Sequence, residues 1–347
     1  MIKPKNLLIV RTDRIGDVVL TLPLAEIVKK HFPDCRITFL VRDYTKCLVH
    51  GHPFIDEVLI LKELNGKPML AENIKNLSSR KFDSCVIVYP TFTLALIIYL
   101  SRIKQRIGTG YRWYSFLFNN KVFQHRKFAE MHEVEFNVNL LRCFGINERI
   151  SKDTVNFNLS AGYKPELEKL LKENKIDGTK PVIIIHPGSG GSAVDLPAAK
   201  FKELVQLLST KNDLQIVITG SKQERKLCKE LQVTETVKNF AGQFDLAELT
   251  YIISKADIFI SNSTGPIHIA AALGKNTIGF YPHLLACSAK RWEPYSNKSV
   301  IFTPENNCQD CAREQCRKQD CMNRINMQKV FSVIEQKIKN FSGSFSE

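Results

Sequence analysis

The order of short apolar runs along the chain constrains the fold more than any other feature. In the first half, these runs predict strands at Leu7–Val10, Ile37–Val41, Glu57–Leu61 and Cys85–Tyr89. Amphipathic segments of helical length predict helices at Asp17–His31, Lys67–Ser79 and Phe92–Leu100. Strands that alternate with helices in this way form a parallel sheet covered by helices.

The alternation begins again at Val182. Strands are predicted at Val182–His186, Leu214–Thr219, Ile258–Ser261 and Thr277–Tyr281, with helices at Pro197–Thr210, Lys222–Leu231, Asp245–Lys255 and Gly265–Leu273. We therefore predict an α/β protein with two Rossmann-like, doubly wound domains that face a central cleft. The predicted domains are 1–160 and 181–325, joined by a linker region at 161–180 and followed by a C-terminal helix and tail at 326–347.

The charge of the chain is strongly positive and unevenly distributed. The formal net charge is +14, and residues 1–160 contain 24 lysines and arginines against 15 aspartates and glutamates. Such an excess indicates an anionic partner, either a phosphorylated substrate, nucleic acid or an anionic membrane surface, and it also fits a merely basic surface. No nucleic-acid motif accompanies it, so no nucleic-acid partner is expected.

The longest uncharged run, Ser84–Ser101, is near the lower limit for a membrane span, but Pro90 divides it into a strand and a helix. No targeting segment is recognisable at the start of the chain. A cytoplasmic protein with reduced cysteines is therefore expected.

The segment Arg11–Pro23, R-T-D-R-I-G-D-V-V-L-T-L-P, directly follows the first predicted strand. Gly16 permits a tight turn there, and Asp17 falls in the first turn of the next helix. A carboxylate in this position either caps the helix or acts as a general base on a bound hydroxyl. Asp13 is a second candidate base, and Arg11 and Arg14 add positive charge.

Two further segments join a predicted strand to a helix and are suited to phosphate. In H-P-G-S-G-G-S, which begins at His186, glycine amides can approach an anion closely, and Ser189 and Ser192 add hydroxyl donors. In S-N-S-T-G-P-I-H, which begins at Ser261, free amides at the helix start can bind a diphosphate, and His268 can donate to it. The structural alternatives are a flexible turn and a core histidine.

Four cysteines lie close together near the C-terminus, at Cys308, Cys311, Cys316 and Cys321. Four thiolates can hold structural zinc, although only one close doublet is present. Packed, reduced cysteines and disulfides formed on isolation are the alternatives.

Taken in order, these motifs resemble glycosyltransferase family 9, the family of the ADP-heptose:lipopolysaccharide heptosyltransferases. The resemblance runs from Leu7 to about Val330 and includes D-L-Q-I-V-I-T-G at Asp213–Gly220 with Glu224 after it. It implies a GT-B fold and an inverting transfer that needs no metal or other cofactor. The implied donor is an ADP-sugar, usually ADP-heptose, and the implied acceptor is an anionic inner-core glycolipid or surface glycan.

The resemblance also assigns roles to residues. Asp17 matches the catalytic base. The implied donor-binding residues are Ser189, Gly190, Gly191, Ser192, Gly220, Glu224, Thr264, Gly265, Pro266 and His268. The acceptor is expected at Arg11, Asp13, Arg14 and Arg112.

This chain departs from the family pattern at two points. Many members carry Lys or Arg and then Trp just before the helix that follows the glycine loop, where this chain has Val194-Asp195-Leu196. Many also have Asp at the position of Ser263. These departures suggest a donor other than the usual heptose, with Lys222 or Arg291 as a replacement cation.

The sequence thus predicts a monomeric glycosyltransferase at the cytoplasmic face of the inner membrane. Basic residues among Arg102, Lys104, Arg106, Arg112, Arg126 and Lys127, with Trp113, Tyr114 and Phe116, are expected to touch anionic headgroups. The alternatives are a non-catalytic nucleotide- or glycan-binding protein and a nicotinamide-dependent oxidoreductase. The latter lacks a G-x-G-x-x-G motif after either opening strand.

Overall fold

The computed structural model describes residues 3–176, 178–305, 314 and 320–342. The chain divides after Ser160 into two compact units. Each unit is built on its own six-stranded parallel sheet.

The first unit contains eight strands and five α-helices within its described residues. The strands are β1 (Asn6–Val10), β2 (Arg36–Val41), β3 (Glu57–Ile60), β4 (Glu63–Leu64), β5 (Lys67–Pro68), β6 (Ser84–Ile87), β7 (Gln105–Thr109) and β8 (Asn120–Val122). The helices are α1 (Ile15–Val19), α2 (Pro23–His31), α3 (Leu70–Ser78), α4 (Phe92–Leu100) and α5 (Glu133–Val138).

The sheet of the first unit has the order β3-β2-β1-β6-β7-β8, and β4 and β5 form a separate hairpin. β1 lies at its centre, where Leu7 pairs with Ile37 on one side and Ser84 on the other. Residues 7–10 are buried, as expected of a strand covered by helices on both faces. All the ligand-facing loops of such a sheet follow the carboxyl ends of its strands.

The second unit repeats this plan. Its strands are β9 (Val182–His186), β10 (Gln215–Ile218), β11 (Lys238–Asn239), β12 (Ile258–Asn262), β13 (Asn276–Phe280) and β14 (Ser299–Phe302). Its helices are α6 (Pro165–Glu173), α7 (Ala198–Ser209), α8 (Arg225–Glu230), α9 (Leu246–Ser254), α10 (Gly265–Ala272), α11 (Ala289–Trp292) and α12 (Met327–Ser342). The sheet order is β11-β10-β9-β12-β13-β14.

The predicted linker region and C-terminal helix both belong to the second unit. α6 lies within the linker region, and its Glu168 accepts a hydrogen bond from Lys255 Nζ at 2.5 Å. α12 contributes Val330 and Ile334 to the core that also contains Phe201 of α7. Both segments are therefore fixed to the second sheet by side-chain contacts.

Two predicted helices differ from those observed. The helix expected at Asp17–His31 is two helices, α1 and α2, because Pro23 lacks an amide hydrogen and begins α2 instead of continuing α1. The helix expected at Lys67–Ser79 starts only at Leu70, since Lys67 and Pro68 pair with β4.

The uncharged run Ser84–Ser101 contains β6 and α4. α4 has nine residues and is capped by Thr91, whose side chain accepts from the amide of Leu94. Among the residues that the structure describes, no helix is both long and apolar enough to cross a bilayer.

Candidate active site

The first candidate loop follows β1 and leads directly into α1. In the sheet order, β1 lies between β2 and β6, at the point where the chain order reverses. Open α/β sheets bind their ligands at such a point. Gly16 is buried in α1, and Asp17 follows it in the first helical turn. The loop thus places the Asp17 carboxyl group where a ligand is expected.

The buried Arg11 side chain is the centre of this loop. Its Nε donates to Asp13 Oδ1 at 2.6 Å, and its Nη2 donates to Asp17 Oδ1. Its Nη1 lies 3.4 Å from Oε1 of Glu133 and 3.4 Å from Oδ1 of Asn137. Arg11 is 1% exposed, so one desolvated cation faces three carboxyl groups.

Glu133 has a second cationic partner. It is buried at the start of α5, and its Oε1 also accepts from Arg126 Nη1. Asn137, one turn further along α5, donates to the carbonyl of Leu20 at 2.9 Å. α5 therefore holds the loop after β1 through both charged and neutral hydrogen bonds.

The surroundings of Asp17 raise the pKa of its carboxyl group to about 6. Burial is the largest cause, and the nearby charges of Asp13 and Glu133 act in the same direction, while Arg11 opposes them. Burial works against the charged form of Arg11 too, but the three carboxyl groups outweigh it and raise the pKa of Arg11. A carboxyl group with a pKa near neutrality is suited to general-base catalysis.

The capping role considered for Asp17 is wrong. The N-cap residue of α1 is Arg14, and α1 has no side-chain cap hydrogen bond. The Asp17 side chain instead accepts from Arg11.

The four predicted acceptor residues have different positions. Arg11 is buried among carboxyl groups, so we correct its expected contact with the acceptor to a role in positioning Asp17. Asp13 is one-fifth exposed and accepts from Arg11. Arg14, three positions before Asp17 in the chain, is exposed, and Arg112 is exposed in the loop after β7. For Asp13, Arg14 and Arg112, contact with the acceptor stays a prediction.

Sequence analysis missed Glu133, Asn137 and Tyr89. Glu133 looks like an ordinary acidic residue at a helix start, and more than 100 residues separate it from Asp17. Tyr89 follows β6, and its ring centroid lies 5.9 Å from the Arg11 guanidinium. Of these three residues, only Tyr89 has a signal in the sequence, which is its position after a strand next to β1.

In the second unit, the candidate loop is the glycine-rich segment 187–197 after β9. The buried Asn262, at the end of β12, fixes both ends of this loop. Its Nδ2 donates to the carbonyl of Pro187 at 2.6 Å, and its Oδ1 accepts from the amide of Leu196 at 2.8 Å. Ser192 Oγ lies 2.8 Å from the carbonyl oxygen of Ser263, so the loop is also attached to the turn before α10.

Glu224 fixes the middle of the same loop. Its carboxylate accepts from the amide of Ser221 at 2.7 Å and from the backbone of Gly190. Burial tends to raise the pKa of Glu224, but these donors and the nearby His186 outweigh it and lower that pKa. A Cβ atom on Gly188 would lie 1.7 Å from Glu224 Oε1, so glycine is required for this contact. Gly190 (φ +57°) and Gly191 (φ +77°) have left-handed backbone conformations.

The third candidate segment begins α10. Thr264 is its N-cap residue in an extended conformation, and Pro266 occupies the first turn. The first amides of a helix have no carbonyl partner within it, so they attract an anion. The buried hydroxyl of Ser189 has no hydrogen-bond partner among the described residues. Ser192 Oγ lies 2.9 Å from the carbonyl oxygen of Ser189 and 2.8 Å from that of Ser263. The Ser189 hydroxyl therefore belongs to the loop that adjoins α10.

The structure shows where the residues that depart from the family pattern lie. Of the stretch Val194-Asp195-Leu196, which stands where many members carry a basic residue and tryptophan, Val194 and Leu196 are buried in the core of the second unit. The Ser263 side chain is hydrogen bonded to Tyr281, a buried residue that also donates to the carbonyl of Trp292 at 2.9 Å. Of the two replacement cations, Arg291 lies over the ring of Trp292 at 4.7 Å, and Lys222 is exposed.

Of the remaining predicted donor residues, Gly220 ends the loop after β10, where a Cβ atom would lie 2.7 Å from Cys228 Sγ. His268 is buried in α10. Cys308, Cys311 and Cys316 lie outside the described residues, and Cys321 is buried. The described part of the chain contains no group of three or more residues suited to a metal ion, and the zinc site stays a prediction.

Two successive Rossmann-like units, each with its candidate loops after the carboxyl ends of parallel strands, are the architecture of the GT-B fold. The family model described as "Glycosyltransferase family 9 (heptosyltransferase)" matches residues 71–322. This chain belongs to glycosyltransferase family 9. The predicted family, fold class and glycosyltransferase activity are thereby confirmed, and the oxidoreductase and non-catalytic alternatives are set aside.

Individual relatives agree with the family match. A Haemophilus influenzae protein named only as a glycosyltransferase is 29% identical over 313 residues, which are 86% of this chain and 89% of that protein. Lipopolysaccharide heptosyltransferase 3 of Escherichia coli is 25% identical over 300 residues, 83% and 85% of the two chains. The structure of the E. coli ADP-heptose lipopolysaccharide heptosyltransferase II has a TM-score of 0.78 and 18% identity, and the match covers 97% of this chain and 99% of that one.

The charges around Arg11 generate a prediction about pH. Glu133→Gln removes one of the negative charges that raise the pKa of Asp17, so that pKa falls. Because a general base acts when deprotonated, the acidic limb of the kcat/KM profile moves to lower pH. The control is Glu130→Gln, which removes an exposed carboxyl group three positions earlier and should leave the profile unchanged. An unshifted profile for Glu133→Gln would refute this electrostatic coupling.

The contact between Gly188 and Glu224 generates a prediction about stability. Gly188→Ala displaces the Glu224 carboxylate from Ser221 and Gly190 and costs about 1–2 kcal/mol in the free energy of unfolding. Glu224→Ala breaks the same hydrogen bonds, so the double variant loses little more than either single variant. Denaturant titration of all three variants measures this. Additive losses would show that the two residues act independently.

Proposed function

We propose that this chain transfers heptose, or a related sugar, from an ADP-sugar to a lipopolysaccharide inner-core or surface-glycan acceptor, with inversion and without a metal ion. The observation that carries the proposal is the Asp17 carboxyl group, held beside the buried Arg11 with a pKa of about 6. At neutral pH a large share of this carboxyl group is ionised and able to accept a proton.

In the proposed reaction, an acceptor hydroxyl attacks the anomeric carbon of the donor sugar. Asp17 takes the proton of that hydroxyl as the new carbon–oxygen bond forms. The bond between the anomeric carbon and the diphosphate breaks on the opposite side, and its electron pair leaves with ADP. Arg11, which is itself held by Asp13 and Glu133, keeps Asp17 in place throughout the reaction.

The second unit is proposed to bind the donor. Charge that develops on the leaving diphosphate needs hydrogen-bond donors, which the first amides of α10, His268 and the Ser189 hydroxyl would supply. The remaining members of the proposed donor site are Gly190, Gly191, Ser192, Gly220, Glu224, Thr264, Gly265 and Pro266. The name of the E. coli relative, an ADP-heptose enzyme, supports an ADP-sugar as donor.

The first unit is proposed to bind the acceptor through Asp13, Arg14 and Arg112. Its excess of positive charge suits an acceptor with acidic sugars and phosphate groups. A lipid-anchored acceptor of this kind places the protein at the cytoplasmic face of the inner membrane as a peripheral protein.

The role of Asp17 is tested by Asp17→Asn, which keeps the shape of the side chain and removes the base. Transfer is expected to fall by about 10²- to 10⁴-fold, the usual contribution of a general base. Donor affinity should remain at the wild-type value, and thermal unfolding measures the effect on the ion cluster around Arg11, which loses one charged partner. If Asp17→Asn transfers sugar at the wild-type rate, Asp17 is not the base.

The donor site is tested by calorimetric titration with ADP, UDP, GDP and NAD in the absence of divalent metal. ADP should bind most tightly, and Ser189→Ala should weaken its binding about tenfold or more, because one hydrogen bond to a charged group is lost. Ser209→Ala is the matched control, since Ser209 Oγ is likewise buried and without a partner among the described residues, at the end of α7. Preferred binding of UDP or GDP would change the proposed donor, and binding of NAD alone would oppose the proposal.

A further inference from the structure

Residues 84–129 of the first unit contain no aspartate or glutamate. The same 46 residues contain seven lysines and arginines and ten aromatic residues. All 35 acidic residues of the chain lie in the other 301 positions, at about one in nine. The segment is therefore distinct in both charge and aromatic content.

Several aromatic side chains of this segment are exposed to solvent. We call them the aromatic surface: Phe92 (39% exposed), Tyr111 (46%), Trp113 (72%), Phe116 (66%), Phe123 (64%) and Phe128 (49%). All of them follow the carboxyl ends of β6, β7 and β8, which are consecutive in the sheet. β1, which carries the Asp17 loop, is the next strand. Except for Phe116, which lies on the crossover from the end of β7 back to the start of β8, the aromatic surface thus lies along the same edge of the sheet as Asp17.

The loops that carry the aromatic surface are held in place. The rings of Phe92 and Trp113 stack with centroids 4.8 Å apart, and those of Tyr111 and Phe123 meet edge to face at 5.4 Å. The buried Tyr114 donates to the carbonyl of Pro90 at 2.6 Å, which joins the loop after β7 to the loop after β6. The rings are therefore exposed on ordered backbone.

Six of the seven cations of the segment fall into three groups. Arg112 and Lys127 are exposed next to rings of the aromatic surface, and Lys127 Nζ lies 4.8 Å from the ring centroid of Phe128. Arg102 and Lys104 precede β7 and so lie at the opposite edge of the sheet, which corrects their expected place in this cluster. Arg126 pairs with the buried Glu133, and Arg106 donates to the carbonyl oxygens of Leu117 and Ile103.

We propose that the aromatic surface is the face by which this protein docks on an anionic phospholipid bilayer. Aromatic rings insert favourably at the level of lipid headgroups, and nearby lysines and arginines are attracted to anionic lipids. Because the segment has no acidic residues, none of its side chains repels anionic lipids. A nucleic acid is disfavoured, because single strands stack bases on open ring faces, whereas Phe92 and Trp113 cover each other.

The inference rests on the proposed function, since it adds the membrane that holds the acceptor. Docking along the edge that carries Asp17 would present the headgroup sugars of that membrane to the base. The ring centroid of Tyr89, which follows β6, lies 5.9 Å from the Arg11 guanidinium that donates to Asp17.

The test is sedimentation of the full chain with vesicles of phosphatidylcholine alone or with 30% phosphatidylglycerol, an assay composition of about physiological anionic content. The wild type should bind the anionic vesicles more tightly than the neutral ones. Combined Trp113→Ser, Phe116→Ser and Phe128→Ser should weaken that binding about tenfold or more, through loss of apolar burial. Lys127→Ser should reduce the preference for anionic vesicles. Tyr163→Ser with Leu64→Ser and Leu285→Ser, equally exposed apolar residues elsewhere, is the control and should bind like the wild type.

A second measurement separates this inference from the proposed function. The aromatic triple variant should transfer sugar to a soluble, delipidated acceptor at the wild-type rate and lose transfer to an acceptor embedded in vesicles. Wild-type vesicle binding by the triple variant would overturn the docking surface while leaving Asp17 catalysis intact. Equal binding to neutral and anionic vesicles, or binding of a single-stranded oligonucleotide in their place, would also overturn it.

Discussion

The buried guanidinium of Arg11 is the interaction on which the first unit depends. A desolvated cation costs several kcal/mol unless it is paired and hydrogen bonded, and here Asp13, Asp17 and Glu133 supply the partners. Since these come from the loop after β1 and from α5, the ion cluster joins two distant parts of the chain. Burial, together with the charges of Asp13 and Glu133, also raises the pKa of Asp17, so the arrangement that orders the loop also suits Asp17 to the proposed role of base.

The second unit orders its glycine loop with two neutral side chains and one carboxylate. Its glycine loop has few side chains with which to order itself, because glycine occupies positions 188, 190 and 191. Asn262 holds the two ends of the loop, Ser192 attaches it to the turn before α10, and Glu224 holds its middle. The amides and the Ser189 hydroxyl that would meet a diphosphate are thereby fixed before the ligand arrives, which reduces the ordering cost of binding.

Both units place their chemistry after the carboxyl ends of parallel strands. In the first unit the same edge carries Asp17 after β1 and the aromatic surface after β6, β7 and β8. A base and a docking surface can lie on one edge because consecutive parallel strands deliver all their loops to it. Family membership gives the glycosyltransferase activity. The shared edge gives a physical reason why a lipid-bound acceptor would suit this enzyme.

The sequence by itself determined the two α/β units, most strand positions and the three strand-to-helix loops, because apolar periodicity and glycine position are local properties. The family resemblance singled out Asp17, Ser189 and Glu224. Only the tertiary structure decided that Arg11 is buried, that Glu133 faces it from α5, and that Asn262 clamps the glycine loop. These facts depend on contacts between residues far apart in the chain, and desolvation, which sets the pKa of Asp17, exists only once the chain has folded.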